Sequence, residues 1–428
     1  MTGRHQQREK PFLPQEHAWS FSLRTVVRCL LWLFVFSQPW DTITLVSVGA
    51  LSRVIGLLTL AAALLTVSLE RRFGKPNSIF WLAAAYITVT GLSFLWTVAP
   101  DLTAARTWTY IQMLGSIWIL QEFARTREEQ ESLFLAYCVG AFIPIANLLN
   151  NFRQGIWIGA YVERYSSGGP FRLNADNLGL TLVIALSMAW YVASRRGGLS
   201  RVIAAVYLVF GPVGVLLTGT RGAFLAGLVP LAMGPLARAR QSARSILAVT
   251  VLLAVMITAA ATIVPGSIWT RISTIQSEVM NGGNMSGRLQ IWTRGTQAFM
   301  QRPFLGYGIA AFGPATGTRD APHNIALGVL VEQGIVGFLV FAALLLACAA
   351  KIVRLPPPER KIWTALMLSW LIGALSLNFE ETKVTWLLFG LLAGLSSGLA
   401  STDRSHSSTA REDLNVARRP AVLRPRPT

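Results

Sequence analysis

Long apolar runs alternate with short polar joints along almost the whole chain. The runs centre on residues 26–40, 50–69, 79–97, 105–123, 132–149, 175–194, 202–218, 222–237, 245–264, 323–350, 362–379 and 383–400. Most match the roughly 17 to 25 residues of helix that cross a bilayer core. In lipid a segment must satisfy its own backbone polar groups, so such runs predict membrane helices. The pattern predicts an all-α polytopic membrane protein with about 12 transmembrane helices.

Two polar intervals between runs are long, at about 150–174 and 265–322. In the second, "SGRLQIWTRGTQAFMQRP" predicts a helix opened by Ser286 as N-cap and closed before Pro303. Its Leu289, Trp292, Thr296 and Phe299 recur at helical spacing, as in an amphipathic helix lying at the membrane interface. The following "FLGYGIAAFGPATGTRDAP" is rich in Gly and aromatics and predicts an irregular segment over the membrane surface.

Composition supports a membrane protein: 53% of the 428 residues are hydrophobic and 14% charged, with a mean hydropathy of +0.48. Cys29, Cys138 and Cys348 all fall in apolar runs without paired spacing, so neither a disulfide framework nor a metal site is expected.

The net charge of +18 orients the runs, because Lys and Arg near span ends favour the cytoplasm. With both tails cytoplasmic, 26 of the 38 Lys and Arg residues lie at or inside that boundary. The expected organisation is a cytoplasmic tail over 1–25, retained rather than cleaved, and nine transmembrane helices over 26–264 with an outward loop at 150–174. A large outward loop with short helices follows over 265–322, then three more helices over 323–400 and a disordered cytoplasmic tail over 401–428.

The outward loops are basic where cations are usually depleted. The long one carries Arg271, Arg288, Arg294, Arg302 and Arg319 against Glu278 and Asp320; the shorter one carries Arg153, Arg164 and Arg172 against Glu163. Guanidinium forks match diphosphate oxygens, so an anionic partner is expected there and nucleic acid is not. The basic inner face needs only membrane lipid headgroups.

Two constellations concentrate the chemistry. In "LLTGTRGAFLAG", Arg221 stands where a new helix begins, with Gly219 and Gly222 permitting close approach of a ligand or another helix. A snorkelling boundary arginine is the plainer reading. In "DAPHNIALGVLVEQGIVGFLV", His323 follows Pro322 at the start of an apolar run. There the positive end of the helix dipole favours the neutral imidazole, a proton acceptor. The plainer reading is that His323 and Asn324 cap the helix. Glu332, nine residues on, is expected to be a buried hydrogen-bonding group, and Lys383 a partner for Glu380 and Glu381. No phosphate-binding P-loop, D-x-D pair or metal-ligand spacing is present, so neither a metal nor another cofactor is expected.

The stretches "MSGRLQIWTRGTQAFMQRPFLGYGIAAF" and "HNIALGVLVEQGIVG" resemble the signature of the O-antigen ligase and polymerase family of bacterial envelope glycosyltransferases. "LTGTRGAFLAG", "RYSSGGPFRLNADNLG" and "NFEETKVTWLLFGLLAGL" match less strongly but in the expected order. Together they cover about 160–398.

The resemblance implies a GT-C-like membrane fold in the inner membrane with a periplasmic active site. It implies glycan transfer from undecaprenyl diphosphate to an acceptor hydroxyl, on lipid A-core or another lipid-linked glycan, without nucleotide sugar or metal. The family's arginines fall on Arg221 and Arg288 and its histidine on His323. A further arginine falls on Arg164, with Arg172 as the alternative, because Ala175 and Asp176 stand where many members have a Pro. Chemistry and resemblance together suggest that Arg221 and Arg288 stabilise the diphosphate leaving group while His323 takes or orients the acceptor proton, in one inverting displacement. Three readings remain: ligase first, then polymerase, and last a secondary transporter of an anionic solute. A transporter predicts midplane charges and repeated halves, and neither is evident.

Overall fold

The computed structural model describes residues 22–395, apart from 42–43, 46–48, 72, 159–162, 169–172, 237–242 and 281–286. Both expected tails beyond that range, Ser286 and Arg172 lie outside the described residues. Fifteen helices run through the described residues: α1 (Leu23–Ser37), α2 (Leu51–Glu70), α3 (Ser78–Leu92), α4 (Pro100–Phe123), α5 (Arg127–Arg153), α6 (Ala175–Arg195), α7 (Gly198–Leu217), α8 (Arg221–Leu236), α9 (Ala243–Ile263), α10 (Gly266–Met280), α11 (Arg288–Gln301), α12 (Phe312–Thr316), α13 (Ile325–Val353) and α14 (Pro357–Ala374), then α15 (Lys383–Leu395). A β-ladder of two residues a side pairs Thr44 with Ala50 and Leu45 with Gly49.

Every apolar run of the sequence overlaps a helix. Seven spans, in α2, α3 with its following turn, α5, α6, α7, α9 and α13, are long and apolar enough to cross a membrane, and two shorter apolar helices lie in α8 and α15. The others fall short for local reasons. Helix α1 has 15 residues, and α4 carries Asp101, Arg106, Gln112, Gln121 and Glu122.

Capping explains several starts. Asn77 accepts from the amides of Ile79 and Phe80, Thr126 and Glu129 form a reciprocal capping box, and Pro100 and Pro357 occupy first helical positions.

Helix α6 is the hub, with 89% of its apolar window buried. It packs against α5, α7, α8 and α14. Small residues let the backbones close in: a Cβ on Gly179 would lie 2.7 Å from Ala223 Cβ, one on Gly222 would lie 2.1 Å from Ser376 Oγ, and one on Gly373 would overlap Leu180. By contrast, only 11% of the α9 window is buried, and Ile246, Leu247, Val251, Val255 and Ile257 are exposed. That surface suits lipid rather than water.

Charges gather at the bundle's two ends. At one, Arg195 and Arg127 converge on the buried Glu359, at 2.8 and 3.1 Å, beside the pairs Arg24–Glu70, Arg28–Glu129 and Arg196–Glu131. The site described below lies at the other.

Helix α13 is broken at Gly334, whose φ of 63° is left-handed. The break exposes backbone groups that a second segment satisfies. Tyr307 and Gly308 donate to the carbonyls of Val331 and Glu332, while Ile335 and Val336 donate to those of Pro303 and Phe304. Glu332 is buried and accepts from the amides of Ala310 (3.0 Å) and Phe312 (3.1 Å). The segment read as irregular surface is therefore built into the fold around a broken helix.

Helix α11 buries Ile291, Gly295 and Ala298 against α12 and α13, which leaves Leu289 and Thr296 of the expected stripe exposed and Trp292 and Phe299 partly buried. Shape sets this packing: a Cβ on Gly295 would lie 2.9 Å from Leu327 Cδ2, so the glycine gives α13 access. One pairing expectation is corrected: Lys383 pairs with Asp41 at 3.2 Å, and Glu381 with Arg106 at 2.7 Å.

Candidate functional site

The turn 218–220 between α7 and α8 sets the site. Gly219 has φ +59°, which favours glycine, and its carbonyl accepts from Arg271 Nε of α10 at 2.8 Å. Arg164 Nε donates to the Thr218 carbonyl at 3.1 Å and its Nη2 to Thr220 Oγ1 at 3.0 Å. Arg164 also makes a short ion pair with Asp176, near the start of α6. Arg221 opens α8 and reaches Thr274 Oγ1 of α10 at 3.3 Å. Arg288, first residue of α11, lies 3.7 Å from Asp176 Oδ2.

These groups line one cavity of about 730 Å³. Arg164, Arg221, Arg271, Arg288, Arg294 and Arg319 line it, and among the described residues the only carboxylates that do are Asp176 and Asp320. The excess of positive charge is felt by its members. Burial first, then the neighbouring Arg164 and Arg221, hold the guanidinium pKa of Arg271 below its ordinary value; for Arg288, burial, Arg164 and Arg221 outweigh the opposing pull of Asp176. An anion entering the cavity would relieve this repulsion.

His323 lines the same cavity, but it does not begin the helix. Asn324 is the N-cap, accepting from Leu327 N at 3.1 Å, and His323 stands one residue before it in the left-handed region at φ 48°. A non-glycine residue there stores backbone strain, a condition concentrated at functional sites. The preceding carbonyl, Pro322 O, accepts from Trp292 Nε1 at 2.9 Å. The imidazole is half-buried, and its Nδ1 is buried without a hydrogen-bond partner. Burial first, then the Arg288 charge, lower its pKa below the ordinary 6.5, so the neutral form dominates near pH 7. Neutrality was expected from the helix dipole; desolvation and the Arg288 charge act in the same direction.

The residues singled out in the sequence, Arg164, Arg221, Arg288 and His323, thus meet in one place. Arg271 and Asp176 join them without having been singled out as site residues. Arg271 was visible as a loop cation, but its placement depends on the Gly219 turn 52 residues away. Asp176 showed itself only as a departure from the family pattern.

A family model described as O-Antigen ligase matches residues 203–342. The chain is thus similar to that family over part of its length. Within the matched stretch lie Arg221, Arg271, Arg288 and His323, whereas Arg164 and Asp176 precede it. A curated O-antigen ligase of Pseudomonas aeruginosa is 32% identical over 131 residues, which cover 30% of this chain and 28% of that relative. Among the described residues no cluster of His, Cys, Asp and Glu could hold a metal ion.

Proposed function

We propose that this chain transfers a glycan from undecaprenyl diphosphate to an acceptor hydroxyl at the periplasmic face of the bacterial inner membrane, as an O-antigen ligase acting on lipid A-core. One observation carries this reading: several arginines and a half-buried, strained histidine line a single cavity at one end of a membrane bundle. The similarity to the Pseudomonas O-antigen ligase favours a ligase over a polymerase.

In the proposed reaction the acceptor oxygen attacks the anomeric carbon, forming the new glycosidic bond. The carbon–oxygen bond to the diphosphate breaks, and the leaving group departs with the electron pair. Arg221 and Arg288 bear its developing charge, with Arg164 and Arg271 completing the cationic wall. The acceptor proton passes to the neutral imidazole of His323. One displacement inverts the anomeric configuration, and the step requires no metal.

Deleting the gene in its host tests the reading. A ligase deletion leaves long polymer on the carrier lipid and bare lipid A-core. Transfer of single repeats alone would identify a polymerase instead, and an unchanged glycan profile would reject both.

A further inference from the structure

A second cavity of about 350 Å³ is also lined by His323. Among the described residues, His323 is the only lining residue that the two cavities share. Their chemistry differs. In the second, Arg106 is paired with Glu381 and Lys383 with Asp41, so the charges of the described lining residues balance. Its remaining polar lining includes the amides Gln38, Asn174, Asn177 and Asn378.

Two of these amides present unused acceptors. Gln38 is 3% exposed; its Nε2 donates to the Phe34 carbonyl at 2.9 Å, which leaves Oε1 buried without a partner. Asn378 Oδ1 is likewise buried and unpartnered. A buried acceptor without a donor is costly, and an O–H group of a ligand is the natural complement. Paired ions with open amide acceptors suit a neutral, hydroxyl-rich ligand such as a sugar.

We propose that this second cavity holds the acceptor sugar, the one that bears the attacking hydroxyl. The proposal rests on the transfer reaction set out above. Inverting displacement requires the nucleophile to approach the anomeric carbon from the side opposite the leaving group. With the diphosphate in the arginine cavity, a separate cavity that meets it at His323 offers room for the nucleophile's approach. The imidazole at the junction then meets the acceptor's O–H. Gln38 and Asn378 act as positioning residues that hold the acceptor's other hydroxyls.

The test uses the full chain in lipid vesicles with a lipid-linked glycan donor and a lipid A-core acceptor, varying each at saturation of the other. Gln38→Leu and Asn378→Leu remove the acceptor atoms at similar volume, and Asn177→Ala trims a lining group for which no folding role is apparent. Each of the first two is expected to raise the acceptor KM about tenfold, the worth of one hydrogen bond at the upper end of its usual range. The donor KM, and undecaprenyl diphosphate binding followed by tryptophan fluorescence, are expected to stay unchanged. Unchanged diphosphate binding also shows that a variant has folded; if both leucine variants lose it, the acceptor KM of Asn177→Ala decides. A rise confined to the donor KM would assign the cavity to the donor's sugar and overturn the proposal, as would an unchanged acceptor KM in folded variants. Should the unaltered chain transfer no glycan, the underlying reaction fails as well, which separates the two failures.

Discussion

Arg288 Nη2 lies 3.7 Å from Asp176 Oδ2, while Arg164 holds the other carboxylate oxygen. Asp176 is thus a shared counter-ion for two guanidiniums of the arginine cavity, tied also to Thr220 Oγ1 at 3.0 Å. Asp176→Asn keeps the shape and removes the charge. Because the side chains of Arg164 and Asp176 are 20% and 12% exposed, the loss is expected to cost about 1–3 kcal/mol, between the values for surface and fully buried pairs. A lower melting temperature in detergent checks this. Undecaprenyl diphosphate should bind the variant no more weakly, since the cavity becomes more positive; tenfold weaker binding would show that Asp176 orders the site rather than balancing it.

Arg221→Ala, Arg288→Ala and His323→Ala are each expected to lower glycan transfer at least about 100-fold, the usual effect of removing one preorganised group that meets developing charge. The proteins should remain in the membrane. Arg221→Lys and Arg288→Lys should recover only part of the loss, because an ammonium replaces the charge but not the fork. Normal transfer by all three alanine variants would exclude the mechanism.

The His323 pKa is lowered by burial and by Arg288, and this fixes the sign of the pH response. Activity that needs a neutral imidazole falls when pH drops through the folded-state pKa, so the acid limb of kcat/KM should lie below 6.5. Arg288→Gln removes a lowering charge, and the limb of its residual activity should move upward. Stability follows the same direction: the unfolded chain binds the proton more readily, so this contribution is present above the unfolded pKa and is lost as pH falls below about 6.5. An acid limb above 6.5 in the unaltered protein would contradict the assignment.

Much of this was visible in the chain because membrane helices declare themselves locally. Each apolar run closes its own hydrogen bonds, so hydropathy alone finds it. Arg221 and His323 stood out for the same reason, as polar residues at the edges of such runs. What stayed hidden depends on distant partners. Arg271 gains its place from the Gly219 carbonyl, Lys383 takes Asp41 rather than its sequence neighbour Glu381, and nothing local in "FLGYG" indicates that it fills a break in α13. Gly334 was a faint sign of that break, but a glycine within a membrane helix more often marks close packing.

That break supplies a last prediction. A Cβ on Gly334 would lie 2.2 Å from the Phe304 carbonyl oxygen, on backbone already at positive φ. Gly334→Ala is therefore expected to destabilise by about 2–4 kcal/mol, through left-handed strain and displacement of the inserted segment. Glu332→Gln should cost about 1–3 kcal/mol, because an amide cannot accept from both Ala310 N and Phe312 N with its two terminal atoms. Gly266→Ala, where a Cβ meets nothing within 4 Å, is the neutral control. Thermal unfolding in detergent should rank Gly334→Ala below Glu332→Gln, and both below the control. The same segment leads through α12 to His323, so the two destabilised variants should also lose transfer activity at temperatures where they remain folded. Full activity in a folded Gly334→Ala variant would show that the broken helix holds the bundle together without positioning the histidine.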